Sequence, residues 1–199
     1  MTFTSFFAAA MALSTVGCGD GAPASPIARV YTGEVTGTDV RVGIIATEHR
    51  ARVFFCGGSS SYQTMTRWLT GDVDAAHKLA QPSSPAETWV LKGNVGDAEI
   101  TGSVDMGDAT LRPFHATIIS ERTISGLYEG TAPCGRVGLI VVQATPDSTP
   151  IGQGACVGPT LDQVNPLEPI VRDPDGAIRV TIGGSPVERE VRAAAPPVD

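Results

Sequence analysis

The sequence predicts an all-β protein in which an antiparallel meander forms a small barrel or sandwich, followed by a Pro-rich C-terminal tail. Short segments of alternating apolar and polar residues recur through residues 28–158, and a period of two is typical of strands with one buried face. Clusters of Gly, Pro, Asp and Ser separate these segments, as turns between strands require. The best helical candidate, residues 74–81, is only about two turns long, so no helix of useful length is predicted.

The alternation is clearest in residues 98–105, where Ile100 and Val104 share one face and Thr101 and Asp105 share the other. The further predicted strands, in chain order, are residues 29–36, 39–44, 51–56, 64–72, 89–95, 114–118, 125–130, 136–143 and 152–157. About ten short strands with one solvated face favour an antiparallel sandwich or a closed barrel, and periodicity does not distinguish the two.

Composition excludes two classes of protein. The 199 residues include 14 Lys and Arg against 21 Asp and Glu, which gives a formal net charge of −7 at pH 7. Nucleic-acid binders need clustered positive charge, so no nucleic-acid partner is expected. The chain is 42% hydrophobic and 18% charged, which is too apolar and too weakly charged for a wholly disordered protein.

The N-terminal segment is apolar and uncharged. Residues 1–17 contain no Asp, Glu, Lys or Arg, and they hold three Phe and four Ala. A membrane-spanning helix needs about 20 apolar residues, so this shorter run suits the apolar region of a secretory signal instead. We therefore predict a signal peptide at residues 1–17, which takes no part in the fold.

The four residues Thr15-Val16-Gly17-Cys18 resemble the lipobox of bacterial lipoproteins. The resemblance implies that the Cys18 thiol takes a diacylglyceryl group, that a dedicated peptidase cuts before Cys18, and that the new amine is acylated. Several acyl chains anchor a protein stably, since each buried methylene contributes about 0.8 kcal/mol. Residues 18–27 would then be the lipidated cysteine and a flexible tether. The implied location is the cell envelope, with a membrane as the partner of Cys18; an ordinary cleaved signal with an incidental cysteine is the alternative.

The C-terminal part differs in composition from the body. Residues 159–199 hold seven of the 15 Pro. Within them, residues 168–172 and 177–182 flank the sequence DPDG at residues 173–176, which is a turn signal between two strands. The predicted domains are therefore a β-domain at residues 28–158 and a Pro-rich tail with a β-hairpin, which is either docked on the body or extended.

Two parts of the chain resemble each other weakly. The sequence YTG at residues 31–33 precedes RVGII at residues 41–45, and YEG at residues 128–130 precedes RVGLI at residues 136–140. Each pair opens a predicted hairpin. Either the chain contains a duplicated β-unit or chance has produced similar strand sequences, and both interpretations stay open at this level.

Cysteine spacing predicts a disulfide. With the lipidated cysteine set aside, the remaining cysteines are Cys56, Cys134 and Cys156. An exported chain meets an oxidising compartment, so one bridge and one odd thiol are expected. A hairpin of residues 136–143 and 152–157 would bring Cys134 and Cys156 together at its open end. We therefore predict the Cys134–Cys156 pair, with the other two pairings, or no bridge, as alternatives.

No catalytic residue, metal site or cofactor is predicted. Residues 154–158, GACVG, match the Gly-x-nucleophile-x-Gly pattern, but that pattern requires a strand followed by a helix, and a Pro-rich segment follows here. A disulfide role is therefore favoured for the cysteine within it. His49, His77 and His115 lack the spacing of zinc ligands, so we predict that they are surface residues.

The functional expectation follows from the N-terminal segment and the β-meander. We expect a lipid-anchored cell-envelope protein of unknown biochemical activity, a non-enzymatic binding or structural module whose partner is a protein, a glycan or a small ligand. Trp68 and Trp89 are either core residues or part of a ligand cavity. The alternative is an envelope hydrolase or inhibitor on a β-scaffold, with Cys56 or His49 as enzyme candidates by residue type alone.

Overall fold

The structure, a computed structural model, describes residues 27–81 and 88–197, and its regular structure there is entirely β. The 14 strands form two closed antiparallel barrels of eight and six strands. The first barrel contains β1 (Arg29–Val35), β2 (Arg41–Ala46), β3 (Arg50–Cys56), β4 (Arg67–Val73), β5 (Lys78–Ala80), β6 (Val90–Val95), β7 (Glu99–Asp105) and β8 (Leu111–Ile118). The second barrel contains β9 (Gly126–Ala132), β10 (Gly135–Val142), β11 (Ile151–Val157), β12 (Leu161–Pro166), β13 (Ile178–Ile182) and β14 (Arg189–Ala193). The all-β prediction is confirmed, and the architecture is a barrel that occurs twice.

Each barrel is an up-and-down meander in which every strand pairs with its neighbours in sequence. The first barrel closes through β1 and β8, with Gly33 opposite Ala116, and the second closes through β14 and β9, with Arg192 opposite Glu129. Closure pairs the strands that would otherwise form exposed sheet edges, which are sites of aggregation. A Cβ on Gly33 would lie 1.9 Å from the carbonyl oxygen of His115, so only glycine permits the closing strands to approach.

Strands β12, β13 and β14 lie in residues 159–199, a stretch predicted as a separate tail. In the structure β11 pairs with β12 across the predicted boundary at residue 158, with Cys156 opposite Asp162. The three strands complete the second barrel, which without them would be an open three-stranded sheet with both edges exposed. Most of the tail therefore belongs to the second barrel.

The turn at residues 173–176 forms as predicted, but only one of its flanks is a strand. The Asp173 amide donates to the Ala177 carbonyl oxygen (2.8 Å), and Gly176 has a φ of 86°, which favours glycine. Strand β13 pairs with β12 on one side and with β14 on the other. Residues 168–172 consequently have no place in the ladder and are irregular.

Alternate side chains fill the interior of each barrel. In the first barrel Leu91, Ile100 and Phe114 are almost fully buried on three neighbouring strands. A Cβ on Gly102 would lie 2.6 Å from the Phe114 ring, so this glycine leaves the space that the ring occupies. The interior of the second barrel is formed by the buried residues Tyr128, Val137, Leu139, Val141, Val164, Val180 and Val191.

Cys134 and Cys156 form a disulfide, as predicted, with Sγ atoms 2.07 Å apart and Cα atoms 6.0 Å apart. Cys134 lies in the short turn between β9 and β10, where Ala132 pairs with Gly135. Cys156 lies on β11, the next strand around the barrel. The bridge therefore ties the first turn of the second barrel to its third strand, while Cys56 is a free, buried thiol.

The two barrels pack against each other through a third apolar cluster, which we call the seam. It joins Ile45 and Phe54 of the first barrel with Leu127, Ile140 and Ala155 of the second, all nearly fully buried. Strands β2, β3 and β10 consequently have both faces buried over most of their length. Alternation alone predicts one solvated face for each of them; here the outer face of one barrel covers the outer face of the other.

The first hairpins of the two barrels have the same register. Tyr31 pairs with Ile44 between β1 and β2, and Tyr128 pairs with Leu139 between β9 and β10; these are corresponding residues of the two similar sequence segments. Across the seam β1 packs on β9, β2 on β10 and β3 on β11, so corresponding strands of the two barrels face each other. The shared register and the reciprocal packing favour a duplicated β-unit over chance.

Candidate functional site

A cleft of about 540 Å³ lies between the barrels, with one wall from each. The loop after β3 forms the first wall within residues 57–63, and β11 and β12 form the second through residues 152–154 and 163–165. Pockets that hold small ligands typically have volumes of about 300–1,000 Å³ and often lie at domain interfaces. We call this feature the inter-barrel cleft.

Hydrogen bonds hold the loop that forms the first wall at its first residue and at its middle. The Asp39 carboxylate accepts from the Ser60 amide (2.8 Å) and from the Ser61 hydroxyl, and the Thr66 hydroxyl accepts from the Gly57 amide (2.9 Å). The hydrogen bonds to the Asp39 carboxylate, first that from the Ser61 hydroxyl and then that from the Ser60 amide, hold the pKa of Asp39 below its ordinary value. A Cβ on Gly57 would lie 2.5 Å from backbone atoms of Ser61, so the loop requires glycine there.

The second wall presents side-chain amides. On β12 the buried Val164 separates the exposed Gln163 and Asn165, so strand alternation directs both amides out of the barrel and toward the cleft. On β11 the Gln153 Nε2 donates to the backbone carbonyl oxygen of Asp39 (3.2 Å). Gln153 thus connects the second wall to the first barrel.

The inter-barrel cleft is electrically neutral, because its described lining residues include no Asp, Glu, His, Lys or Arg. Tyr62 contributes an aromatic ring, and its hydroxyl is shielded from solvent with no hydrogen-bond partner in the described part of the chain. Burial first, and then the nearby Cys56 and Asp162, raise the pKa of this hydroxyl. It therefore stays protonated and able to donate a hydrogen bond.

A second groove at the seam, of about 520 Å³, is occupied by charge pairs. Glu129 of the second barrel accepts hydrogen bonds from Arg52 Nη2 (2.9 Å) and Arg136 Nη2 (2.7 Å). The Arg136 guanidinium lies 3.8 Å from the centre of the Trp68 ring, which stacks on Phe54 with centroids 4.5 Å apart. The hydrogen-bonding capacity of this groove is therefore largely used within the protein.

The two grooves contain corresponding positions of the duplicated unit. By strand register, Arg52 on β3 corresponds to Gln153 on β11, and Trp68 on β4 corresponds to Gln163 on β12. Arg52 lines the second groove and Trp68 lies next to it, under the Arg136 guanidinium, whereas Gln153 and Gln163 both line the inter-barrel cleft. At these two positions the inter-barrel cleft keeps the Gln163 amide available, while the Gln153 amide is bonded to the first barrel.

The two enzyme candidates, Cys56 and His49, lie at opposite ends of β3. Cys56 ends the strand and His49 precedes its first residue, so about 20 Å of extended chain separates them. Cys56 is fully buried, and burial raises the pKa of its thiol to about 12. A nucleophilic thiol requires a lowered pKa and access to substrate, so these two residues do not form a catalytic pair.

The other residues singled out from the sequence lie in structural positions. His49, His77 and His115 are exposed, as predicted. Within the described ranges no group of three or more His, Cys, Asp or Glu side chains could hold a metal ion. Cys156 of the Gly-x-Cys-x-Gly sequence is engaged in the disulfide, and Trp89 lies in the core of the first barrel.

The N-terminal predictions concern residues that the structure does not describe. The signal peptide at residues 1–17, the lipidation site Cys18 and the tether up to residue 26 all lie outside the described residues. In residues 27–81 and 88–197, no helix has the length and apolarity needed to cross a membrane.

The residues of the inter-barrel cleft carry no distinctive sequence pattern. Gln153, Gln163 and Asn165 are polar residues on strands, as many solvated residues are, and Tyr62 lies in a polar loop. The available signal for the cleft was the similarity between the two sequence segments, since two similar barrels in one chain imply an interface between them. Which residues meet at that interface depends on tertiary packing.

Fold and site together define a class of protein: an all-β chain of two closed barrels with a neutral, amide-lined cleft between them. The chain matches no known family model, no curated protein and no solved structure. A fold alone does not identify an activity, so the cleft and the N-terminal sequence carry the functional argument.

Proposed function

We propose that this protein is a lipid-anchored protein of the cell envelope whose two-barrel domain is a non-enzymatic binding module. One observation carries the binding role: both barrels contribute to a cleft in which most polar side chains are not engaged within the described protein. The apolar seam holds the two walls of this cleft in a fixed relation. A preformed cleft of this size suits a small ligand or one end of a larger one.

The lipid anchor is proposed from the lipobox-like residues 15–18, in which Cys18 would carry the acyl groups. The disulfide between Cys134 and Cys156 supports export, because disulfides persist in oxidising compartments. The membrane is then a partner through Cys18, and the cleft binds a separate ligand.

Fractionation and intact-mass measurement test the anchor. We expect the wild-type chain in the membrane fraction, with a mass that corresponds to a start at Cys18, added acyl groups and one disulfide. Cys18→Ala should release the protein from the membrane fraction or leave it unprocessed. Cys56→Ala, the matched cysteine control, should remain anchored. A soluble wild-type chain without lipid would overturn the anchor.

A ligand screen by thermal shift tests the binding role, with saccharides, peptides and small apolar molecules as probes. A ligand of the inter-barrel cleft should raise Tm for the wild type and have little effect on Gln163→Ala. If every hit raises the Tm of Gln163→Ala as much as it raises the Tm of the wild type, the cleft does not have a binding role. Conversion of a hit to product, seen by mass spectrometry, would instead favour the hydrolase alternative.

A further inference from the structure

We infer that the inter-barrel cleft binds a neutral oligosaccharide, with the side-chain amides of Gln63, Gln163 and Asn165 as the groups that hydrogen-bond to sugar hydroxyls. This inference rests on the proposed binding role of the cleft and specifies the chemical class of its ligand.

The available hydrogen-bonding groups of the cleft match hydroxyls. Gln63, Gln163 and Asn165 are exposed, line the cleft, and make no side-chain hydrogen bond to other described residues. Each amide offers two donors and one acceptor, and a hydroxyl both donates and accepts. Neighbouring amides can therefore both donate hydrogen bonds to adjacent hydroxyls and accept hydrogen bonds from them. Carboxylates can only accept and ammonium groups can only donate.

Tyr62 supplies an apolar surface next to these amides. Its side chain packs against the seam cluster and lines the cleft. Tyrosine combines an apolar body with a polar tip, and a sugar ring combines an apolar C–H face with hydroxyls at its rim. Because the Tyr62 hydroxyl is shielded from solvent, the ring of this residue is the part that meets the ligand.

Charge disfavours an anionic ligand. No Lys or Arg is among the described lining residues of the cleft, and two carboxylates lie close to it. A Cβ on Gly58 would lie 2.7 Å from the Asp39 carboxylate, and Asp162 acts electrostatically on the Tyr62 hydroxyl. Phosphates, sulfates and uronic acids would be repelled by these groups.

The closed sheets disfavour an extended peptide. Such peptides commonly bind by adding a strand to an exposed sheet edge, and both barrels are closed. At the cleft wall the Gln163 backbone is already paired, with Ala155 across the ladder and with the Gly183 amide, which donates to the Gln163 carbonyl oxygen (2.9 Å). A ligand meets side-chain amides there, and a hydroxyl-rich ligand suits them best.

The second groove supports this assignment by comparison. In that groove Arg52 is paired with Glu129, and the Arg52 guanidinium lies 5.9 Å from the centre of the Trp68 ring. At the corresponding positions the Gln153 amide donates to the backbone carbonyl oxygens of Asp39 and Cys56, whereas the exposed Gln163 amide makes no side-chain hydrogen bond to other described residues. The second groove thus contains charge pairs that join the two barrels, while the inter-barrel cleft keeps the Gln163 amide open to a ligand.

Isothermal titration calorimetry of the full chain tests the ligand class with cellotriose and chitotriose as neutral probes and trigalacturonate as an anionic probe of similar size. We expect at least one neutral trisaccharide to bind and trigalacturonate to bind at least tenfold more weakly. Gln163→Ala and Asn165→Ala should each weaken binding by about tenfold, since each removes a hydrogen bond to the sugar. Asn94→Ala, which removes an exposed amide on β6 outside the cleft, is the matched control and should bind like the wild type.

Tyr62→Phe separates the contribution of the hydroxyl from that of the ring, and we expect it to weaken binding less than Tyr62→Ala. Circular dichroism shows that each variant is folded. Preferential binding of trigalacturonate, or a cleft-dependent peptide or apolar hit without saccharide binding, would overturn the ligand class and leave the binding role intact. Saccharide binding that Gln163→Ala and Asn165→Ala do not alter would overturn the site. Absence of any cleft-dependent ligand would overturn both the inference and the proposed binding role.

Discussion

Gly43 and Gly138 occupy corresponding positions in the first hairpins of the two barrels, and each faces apolar side chains of the opposite barrel. A Cβ on Gly43 would lie 3.1 Å from side-chain atoms of Ile140 and Leu127, and a Cβ on Gly138 would lie 2.6 Å from the Phe54 ring. The two glycines therefore allow β2 and β10 to approach the opposite barrel closely. The seam depends on this close approach, and so does the position of the cleft between the two barrels.

Gly138→Ala should destabilise the protein more than Gly43→Ala. The methyl group at residue 138 must displace an aromatic ring, whereas at residue 43 flexible aliphatic groups must give by only a few tenths of an ångström. Overpacking typically costs about 1–3 kcal/mol, and we expect Gly138→Ala near the upper end of this range. Urea denaturation followed by tryptophan fluorescence measures both variants. Equal free energies of unfolding would contradict the difference in packing.

Glu129→Gln should destabilise the seam in a pH-dependent way. Burial raises the pKa of Glu129, but hydrogen bonds from Arg136 and the Ala195 amide, together with the charge of Arg52, outweigh it and hold the pKa below its ordinary value of 4.5. A lowered carboxyl pKa contributes stability above the unfolded-state pKa, and this contribution is lost as pH falls through the folded-state pKa. We expect Glu129→Gln to lower the free energy of unfolding by about 1–2 kcal/mol at pH 7 and by less at pH 3.

Denaturation of wild type and variant at both pH values measures this effect of Glu129. Asp97→Asn is the matched control, because it removes an ion pair in which the Asp97 side chain is 91% exposed. Exposed pairs contribute little, so this control should change stability by less than about 1 kcal/mol. A Glu129→Gln effect of the same size at pH 7 and pH 3 would argue against the charge pairs at the seam.

Reduction of the disulfide should lower the stability of the second barrel. Cys134 and Cys156 are 22 residues apart, and the loop-entropy model gives a bridge of this span about 3 kcal/mol. Denaturant midpoints of the wild type should therefore fall on addition of a reductant. Cys134→Ala is the control, because its midpoint should be the same with and without reductant. A wild-type denaturant midpoint that stays the same when reductant is added would show that the bridge does not contribute to stability.

Cys56 should resist alkylation in the native protein. It is fully buried, and burial raises the pKa of its thiol to about 12, so the reactive thiolate is scarce at neutral pH. Iodoacetamide should label Cys56 slowly at pH 7 and rapidly once urea has unfolded the chain, as measured by peptide mass spectrometry. Fast labelling of the native protein at mildly acidic pH would restore the enzyme alternative.

The predicted strands and the observed strands agree best where the signal is local. In residues 98–105, Ile100 and Val104 point into the barrel as their alternation predicts. The short β5 and the strands β12 and β14 were not predicted, because β5 is only three residues long and the other two lie in a Pro-rich stretch. Their strand conformation follows from their partners in the barrels.

Alternation was least informative at the seam. Ile45 lies on the face of β2 that a period of two assigns to solvent, yet it is buried because the second barrel covers it. The cleft residues Gln153 and Gln163 carry no pattern that separates them from other solvated strand residues. Their role depends on which outer faces of the two barrels meet.

The sequence by itself determined the all-β class, most of the turns and the Cys134–Cys156 pairing. Backbone alternation, turn chemistry and the span of one hairpin are local properties, and they can be read without knowledge of distant contacts. Only the tertiary structure decided that the meander closes twice, that the strands of the tail complete the second barrel, and that a neutral cleft lies between the barrels. Closure and packing join residues far apart in the chain. Gly43 and Gly138, for example, are needed because side chains of the opposite barrel occupy the space where a Cβ would lie.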